Sequence, residues 1–194
     1  NISETLLSTS KNLHYFVVDN NMLTGTLSEG VGNNRLLNVF AVEINLLEGV
    51  LPSSFGKLDR MVELFLENNL LSGTVPSVLG NMSLLVFLDL SYNLLSSTLP
   101  LALANLSNLD ALYLSDNKFS NGNLDYFLTV HHYPFLTNVD ISHNRFTGSL
   151  PMSVFQIPSL RTIDASVNCF KGTLSEGLCQ PGNLSCLLYT SRRG

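Results

Sequence analysis

The sequence predicts an α/β repeat solenoid in which a parallel β-sheet lines the concave side. An apolar frame ends in asparagine seven times, and successive asparagines lie 24 residues apart, with one interval of 27. Within each copy the apolar residues lie three and then two positions apart, as at Leu85, Leu88 and Leu90. A further apolar residue follows two positions after each asparagine, as Leu95 follows Asn93. Repetition at a period of this size indicates a stack of similar units in which each contacts its neighbours.

The repeated asparagine occupies the ninth position of each unit and ends the predicted strand. Its short amide can bond nearby backbone groups and stabilise a turn. Stacked copies should form a ladder of buried amides inside the coil, and a buried polar group without partners is costly. Asn93→Leu should therefore destabilise the protein by about 1–3 kcal/mol. The ladder residues are Asn21, Asn45, Asn69, Asn93, Asn117, Asn144 and Asn168.

The period divides the chain into seven repeats and two incomplete ends. The repeats are residues 13–36, 37–60, 61–84, 85–108, 109–135, 136–159 and 160–183. Residues 1–12 fit the second half of a preceding repeat, so we expect the chain to be part of a longer protein. Residues 184–194 fit either a partial eighth repeat or a non-native, adapter-derived tail, since CLLYTS at 186–191 is one translation of a common sequencing-adapter end.

The unit resembles the leucine-rich repeat of the plant-type extracellular subclass, LxxLxLxxNxLxGxLPxxLxxLxx. The fourth repeat, LVFLDLSYNLLSSTLPLALANLSN, matches nearly throughout. The resemblance implies a leucine-rich repeat horseshoe with a concave parallel β-sheet and a convex side of irregular segments, 3-10 turns and short helices. The longer fifth repeat lacks the leucine–proline pair of the motif. There we expect a helix from Leu124 to about His131.

Positions three, five, seven and eight of each repeat should face away from the core, onto the concave surface. None of the ten Lys and Arg residues occupies them, whereas eight of the fifteen acidic residues do. Those eight are Asp19, Glu43, Glu63, Glu67, Asp89, Asp116, Asp140 and Asp164. A concave wall of one sign favours cationic partners. Aromatic residues at the same positions suit the anchors of an interface.

These positions supply the candidate ligand-binding residues. We expect a protein or peptide ligand, basic in character, to lie across repeats two to five. Asp89, Asp140 and Asp164 also lie in strands reading LDLS, VDIS and IDAS, the ordinary strand of the resembled family. The candidates are Glu43, Glu63, Phe65, Glu67, Phe87, Asp89, Tyr92, Tyr113, Asp116 and Asp140.

Other chemistry finds little support in the sequence. The adjacent pair His131 and His132 has no carboxylate at a metal-ligand spacing. Asp140, Ser142 and His143 have the residue types of a hydrolytic triad but lie within a repeat consensus. We therefore expect no enzyme activity, cofactor or metal. The acidic face argues against nucleic acid, and no apolar run is long enough to span a membrane.

The resemblance implies an extracellular or cell-surface protein. Asn81 and Asn105 begin Asn-x-Ser sequons at the same convex position of adjacent repeats, so in a secreted protein we expect both to carry glycans. The leading functional expectation is a non-catalytic, ligand-binding ectodomain of a receptor-like protein that is anchored in a membrane and takes part in signal transduction. The alternatives are a secreted inhibitor of cell-wall-degrading enzymes and a structural or adhesive surface protein.

Overall fold

Short parallel strands recur once per repeat and stack into one sheet. The computed structural model describes residues 12–120, 124–128, 133–172 and 186–188. The sheet has eight strands in the order β1-β3-β5-β7-β9-β11-β13-β15. Their bounds are β1 Tyr15–Val17, β3 Val39–Ala41, β5 Glu63–Phe65, β7 Phe87–Asp89, β9 Ala111–Tyr113, β11 Asn138–Asp140, β13 Thr162–Asp164 and β15 Cys186–Leu188.

The register of this sheet follows the repeat, so equivalent positions lie side by side. Leu64 pairs with Leu88, and Leu88 pairs with Leu112. These central residues are fully buried, while their neighbours in each strand point away from the core. The predicted solenoid with a parallel concave sheet is confirmed.

A second set of parallel strands, which the sequence did not indicate, follows the ladder asparagines. Five of them form a sheet in the order β10-β8-β6-β4-β2, and two more form a pair. The bounds are β2 Thr24–Thr26, β4 Leu46–Val50, β6 Leu70–Gly73, β8 Leu94–Ser97, β10 Lys118–Phe119, β12 Thr147–Gly148 and β14 Cys169–Phe170. This sheet forms one flank of the coil, where the chain passes from the concave to the convex side.

Among the described residues the convex side contains 3-10 helices and a short α-helix. Proline precedes four of the 3-10 helices, where its fixed φ suits the first turn. In the fifth repeat α1 begins at Leu124, as predicted, and residues 129–132 lie outside the described part. The bounds are η1 Glu29–Asn33, η2 Ser53–Lys57, η3 Ser77–Asn81, η4 Leu101–Asn105, α1 Leu124–Phe127 and η5 Met152–Gln156.

The asparagine side chains link adjacent turns through hydrogen bonds. Asn93 donates from Nδ2 to the carbonyls of Leu66 (2.9 Å), Leu90 (3.3 Å) and Ser91 (3.0 Å). Its Oδ1 accepts from the backbone N–H of Leu71 at 3.0 Å. The pattern satisfies backbone groups of the preceding turn inside the core, where an unmet polar group would be costly. It recurs at Asn45, Asn69, Asn117, Asn144 and Asn168, whereas the exposed Asn21 bonds two carbonyls of its own turn.

Apolar side chains fill the interior along the described part of the stack. Phenylalanines continue the column in the later repeats, with ring centroids 6.4 Å apart for Phe119 and Phe146 and 6.2 Å apart for Phe146 and Phe170. In the fifth repeat the buried Tyr133 hydroxyl donates to the Leu103 carbonyl at 3.0 Å. No helix among the described residues is both long and apolar enough to cross a membrane.

Candidate ligand-binding face

Six of the predicted ligand-binding residues lie in two adjacent rows on the concave sheet. Residues at position five of successive repeats form one row, in which each residue pairs with the next across neighbouring strands. The row runs Phe65, Asp89, Tyr113, Asp140. The third positions form the other row, where Glu63 pairs with Phe87. All six side chains are partly exposed, so aromatic area and carboxylates alternate on one surface.

Glu67 has the most perturbed carboxyl group of this face. Its pKa is raised to about 7, mainly by burial and next by the negative charge of Asp89, with smaller contributions from Glu43 and Asp19. Its Oε2 atom is buried and has no hydrogen-bond partner. A carboxyl group with one buried oxygen that lacks a donor is poorly satisfied within the protein, so a positive charge placed beside it by a ligand would stabilise its ionised form.

Glu43 repeats this arrangement one strand earlier. Burial raises its pKa, and the charges of Asp19 and Asp89 add to the effect. Its Oε2 atom is likewise buried without a partner. Glu43 and Glu67 each occupy position seven of their repeat, two residues after the end of β3 and β5, which pair with each other. The two unpartnered oxygens therefore belong to adjacent carboxylates on one surface.

The strand aspartates have a local structural role as well. Asp89 accepts from the backbone N–H of Ser91 at 2.9 Å and from its hydroxyl at 2.6 Å. Asp140 and Asp164 accept in the same way from the N–H groups two residues later, at 2.9 and 2.8 Å. Burial raises the pKa of Asp89, while the hydrogen bonds from Ser91 oppose that shift. One oxygen of each aspartate thus stabilises the bend that ends its strand.

The residue at position eight of each of the seven repeats adopts a left-handed backbone conformation, which the sequence did not predict. Tyr92 has a φ of 50° and Asp116 a φ of 51°, and Asn20, Ile44, Asn68, His143 and Val167 have the same conformation. The charge of Asp116 raises the pKa of the exposed Tyr92 hydroxyl. Burial raises the pKa of the Tyr113 hydroxyl.

Tyr92 and Asp116 lie beyond the ends of strands β7 and β9, at the rim between the concave sheet and the second sheet.

A polar cleft of about 300 Å³ opens at this rim in repeats four to six. Three ladder asparagines line it together with Asp116, Lys118, His143 and Arg145. Nδ1 of His143 lies 3.7 Å from a carboxylate oxygen of Asp116. Sequence reasoning missed Lys118 and Arg145 because they follow the ladder asparagines directly, outside the positions assigned to the concave face.

Asp140, Ser142 and His143 do not form a hydrolytic triad. Ser142 is buried, and Asp140 accepts from its backbone N–H instead of orienting the histidine. His143 instead lies beside Asp116. Among the described residues no group of three or more His, Cys, Asp or Glu side chains is placed to hold a metal ion. The pair His131 and His132 lies outside the described residues.

The two sequon asparagines lie away from the concave sheet. Asn81 ends η3 and Asn105 ends η4, and both are exposed. Adjacent 3-10 helices stack on the convex side, so the two amides occupy equivalent places one turn apart. Glycans there would leave the concave sheet open.

Comparison with known proteins defines the class. A family model described as Leucine rich repeat matches residues 60–119, and a second leucine-rich repeat model matches residues 135–157. Together with the parallel stacked sheets, these matches show that the chain is a leucine-rich repeat protein. A search of curated protein sequences returned no significant match.

Solved structures specify the type of repeat protein. A TDR receptor shares 30% identity with a TM-score of 0.85, covering 92% of this chain and 31% of that chain. The Arabidopsis receptor kinase HAESA, solved with the peptide hormone IDA and the co-receptor SERK1, shares 26% identity with a TM-score of 0.69. That match covers 95% of this chain and 35% of HAESA. The chain is of the plant type and is similar to these receptor ectodomains.

The same fold also occurs in a protein with a different role. A plant ice-binding protein shares 28% identity with a TM-score of 0.84, covering 94% of this chain and 58% of that protein. The chain therefore spans about a third of each of the two receptors and a little over half of the ice-binding protein. Since one scaffold serves different roles, the function must be argued from the residues of the site.

Proposed function

We propose that this chain is the ligand-binding part of a receptor-like, cell-surface protein and that it recognises a basic peptide or protein segment on its concave face. The observation that carries the proposal is the adjacent pair Glu43 and Glu67, each with a buried carboxylate oxygen that lacks a donor. An arginine or lysine from a ligand, placed beside the accessible part of these carboxyl groups, would stabilise their ionised form and would be attracted by the surrounding carboxylates.

The aromatic side chains suit the same ligand. Phe65 and Tyr113 flank Asp89 in one row, so a cationic group at the carboxylate would have aromatic area on both sides. Cations are attracted to aromatic faces, and arginine stacks on them readily. The binding segment would lie across repeats two to five. Similar structures, such as that of HAESA with a peptide hormone, support a protein or peptide partner of this kind.

An extracellular setting follows from the same proposal. The similar proteins include plant receptors, and the exposed Asn81 and Asn105 would accept glycans without obstructing the concave sheet. The scaffold itself would bind and present a ligand without performing chemistry. Signalling and membrane attachment would belong to the whole protein.

The test uses a synthetic probe peptide of about five alternating arginine and serine residues, because the four strands of repeats two to five, at about 4.8 Å spacing, span roughly 14 Å. The matched control peptide has citrulline in place of arginine. We expect the arginine peptide to bind and the Glu43→Gln/Glu67→Gln double variant to weaken it at least about tenfold. Asp59→Asn, at an exposed site between η2 and β5, should leave the affinity unchanged.

Ionic strength provides the second measurement. Partly exposed charges are screened by salt, so the affinity of the arginine peptide should fall between about 50 and 500 mM salt. Equal affinity for the arginine and citrulline peptides, or an affinity that salt does not change, would contradict the proposal.

A further inference from the structure

The polar cleft at the rim lies where the second sheet is interrupted. β10 is the last strand of the five-stranded sheet, and β12 belongs to the separate pair of strands. The 27-residue interval between the ladder residues Asn117 and Asn144 falls between these two strands. The backbone N–H of Arg145 still donates to the Phe119 carbonyl at 2.8 Å. The longer repeat therefore leaves an opening between neighbouring turns without separating them.

Two cations line this cleft at equivalent places on neighbouring turns. Lys118 and Arg145 each follow a ladder asparagine directly, and both side chains are exposed. The three preceding repeats carry Leu46, Leu70 and Leu94 at the same place. Among the residues that the structure describes, neither cation takes part in an ion pair. The repeat itself does not require a cation here, so both charges are available to a ligand.

The asparagines that line the cleft are already committed to the fold. Nδ2 of Asn117 donates to the Leu90 carbonyl at 2.8 Å, and its Oδ1 accepts from the Leu95 N–H at 2.9 Å. Asn93 and Asn144 make the equivalent bonds. The side chains left to contact a ligand are therefore those of Asp116, Lys118, His143 and Arg145.

Asp116 determines which kind of anion suits the cleft. One of its oxygens lies 3.7 Å from Nδ1 of His143, and its charge acts on the Tyr92 hydroxyl. The charges of Asp140 and Asp89 act on that hydroxyl more weakly. A compact, doubly charged anion would be repelled by these carboxylates, whereas a hydroxyl group could donate to Asp116. The cleft therefore favours a ligand that carries one carboxylate beside hydroxyl groups.

We propose that this cleft binds an acidic sugar, whose carboxylate contacts Lys118 and Arg145 and whose hydroxyl groups donate to Asp116. Arginine presents paired donors that match a carboxylate, and lysine adds a second positive charge. A volume of about 300 Å³ is at the lower end for ligand pockets, which suits a small polar ring. Tyr92, which is 53% exposed, offers an aromatic face beside the cleft to the C–H groups of the ring. The site is separate from the glutamates of the concave face and does not depend on the proposed function.

An NMR titration of the full 194-residue chain tests the site. The probe is methyl glucuronide, and the matched control is methyl glucoside, which has a hydroxymethyl group in place of the carboxylate. We expect the glucuronide to bind with a dissociation constant on the order of 1 mM and to shift the backbone amide signals of Lys118 and Arg145. The glucoside should bind at least about tenfold more weakly. Equal binding of the two sugars, or no binding of the glucuronide at about 20 mM, would overturn the proposal.

Substitution of the cations locates the binding. Lys118→Gln and Arg145→Gln should each raise the dissociation constant of the glucuronide at least about fivefold. The control Arg35→Gln removes an exposed cation in the first repeat and should change that constant less than about twofold. Unshifted amide signals outside the cleft check that each variant is folded. Equal effects of Arg145→Gln and Arg35→Gln would indicate general attraction of charge and would overturn the site.

A change at Asp116 tests the selection of a singly charged ligand. Asparagine is an ordinary residue for the left-handed backbone here, so Asp116→Asn should retain the fold. Glucose 6-phosphate carries more than one negative charge at pH 7 and should bind the wild type more weakly than the glucuronide does. Asp116→Asn should shift the ratio of the two affinities toward the phosphate at least about fivefold. A wild type that prefers the phosphate, or a ratio that the variant leaves unchanged, would overturn the role of Asp116.

A short peptide of serine and aspartate represents the other source of a carboxylate beside hydroxyl groups. We expect it to bind at least about fivefold more weakly than the glucuronide, because its carboxylate and hydroxyl groups are not held on one ring. Binding of this peptide as tight as that of the glucuronide would overturn recognition of a sugar.

Discussion

Glu67→Gln should stabilise the folded protein at neutral pH and leave its stability unchanged in acid. The pKa of Glu67 is about 7 in the folded protein, against 4.5 for an ordinary glutamate. Between these values the folded state binds more protons than the unfolded state, so stability must fall as the pH rises through this window. Below about pH 4.5 the carboxyl is protonated in both states and causes no loss. Glutamine carries no charge at any pH and removes the dependence.

The magnitude follows from the size of the shift. A difference of about 2.5 units corresponds to about 3.4 kcal/mol at 1.36 kcal/mol per unit. Glu67 is only half-buried, and solvent screening reduces the part that appears in stability to about 1–2 kcal/mol. We therefore expect Glu67→Gln to exceed the wild type by about 1–2 kcal/mol at pH 8 and to match it near pH 4.

Urea unfolding of both proteins at a series of pH values measures this difference. The fitted slope of free energy against urea should be the same in both proteins, so that midpoint shifts report stability. Asp59→Asn, which removes one exposed negative charge outside the concave face, reports the general effect of net charge. If the free energies of unfolding of the wild type and Glu67→Gln differed by the same amount at pH 4 and pH 8, the account of Glu67 as a desolvated acid would be wrong.

Three further substitutions test the scaffold through thermal or urea unfolding. Asn93→Leu should lower the free energy of unfolding by about 1–3 kcal/mol, since it removes hydrogen-bond partners of the Leu66 carbonyl and the Leu71 N–H. The control Asn105→Leu changes an exposed asparagine, and an equal loss of stability there would refute the role of the ladder. Ile44→Asn should raise the free energy of unfolding by about 1 kcal/mol, because a β-branched residue is strained at a φ of 51°. A lower stability of this variant would contradict the strain. Ser97→Gly should raise the free energy of unfolding by about 0.5–1 kcal/mol, because Ser97 has a φ of 73°, which glycine adopts without strain. An unchanged stability would argue against strain at this position.

The concave sheet could be predicted because a single period places every strand. Leu64, Leu88 and Leu112 are spaced by 24 residues and pair directly, so the pattern alone gives the register. The same repeat period correctly placed Phe65 and Asp89 on one surface. In this part of the fold local pattern and tertiary arrangement agree, as expected where each turn repeats its neighbour.

The second sheet and the left-handed residues could not be predicted in the same way. A strand such as β6 contains Gly73, a residue of low β-propensity, and it forms because identical turns are stacked beside it. At the eighth position Asn20 and Asn68 are ordinary left-handed residues, but Ile44 and Val167 give no such signal. These two features decide which charges lie at the rim, and so the polar cleft was missed.

The unpartnered oxygens of Glu43 and Glu67 also escaped prediction. A sequence pattern gives the face on which a glutamate lies, but not how deeply its carboxyl is packed or which donors it reaches. The acidic character of the surface was visible from spacing. Its strongest electrostatic feature depends on the depth of burial that the stacked strands impose.

The proton release on binding of the arginine peptide tests the central claim most directly. At pH 7 about half of the Glu67 carboxyls are protonated, and a bound guanidinium would favour the charged form. Titration calorimetry in buffers of different ionisation enthalpy should therefore show release of up to about 0.5 proton per complex from Glu67 at pH 7, and clearly less release with Glu67→Gln. Binding without proton release, or with equal release from the variant, would contradict recognition of a cationic ligand at Glu67.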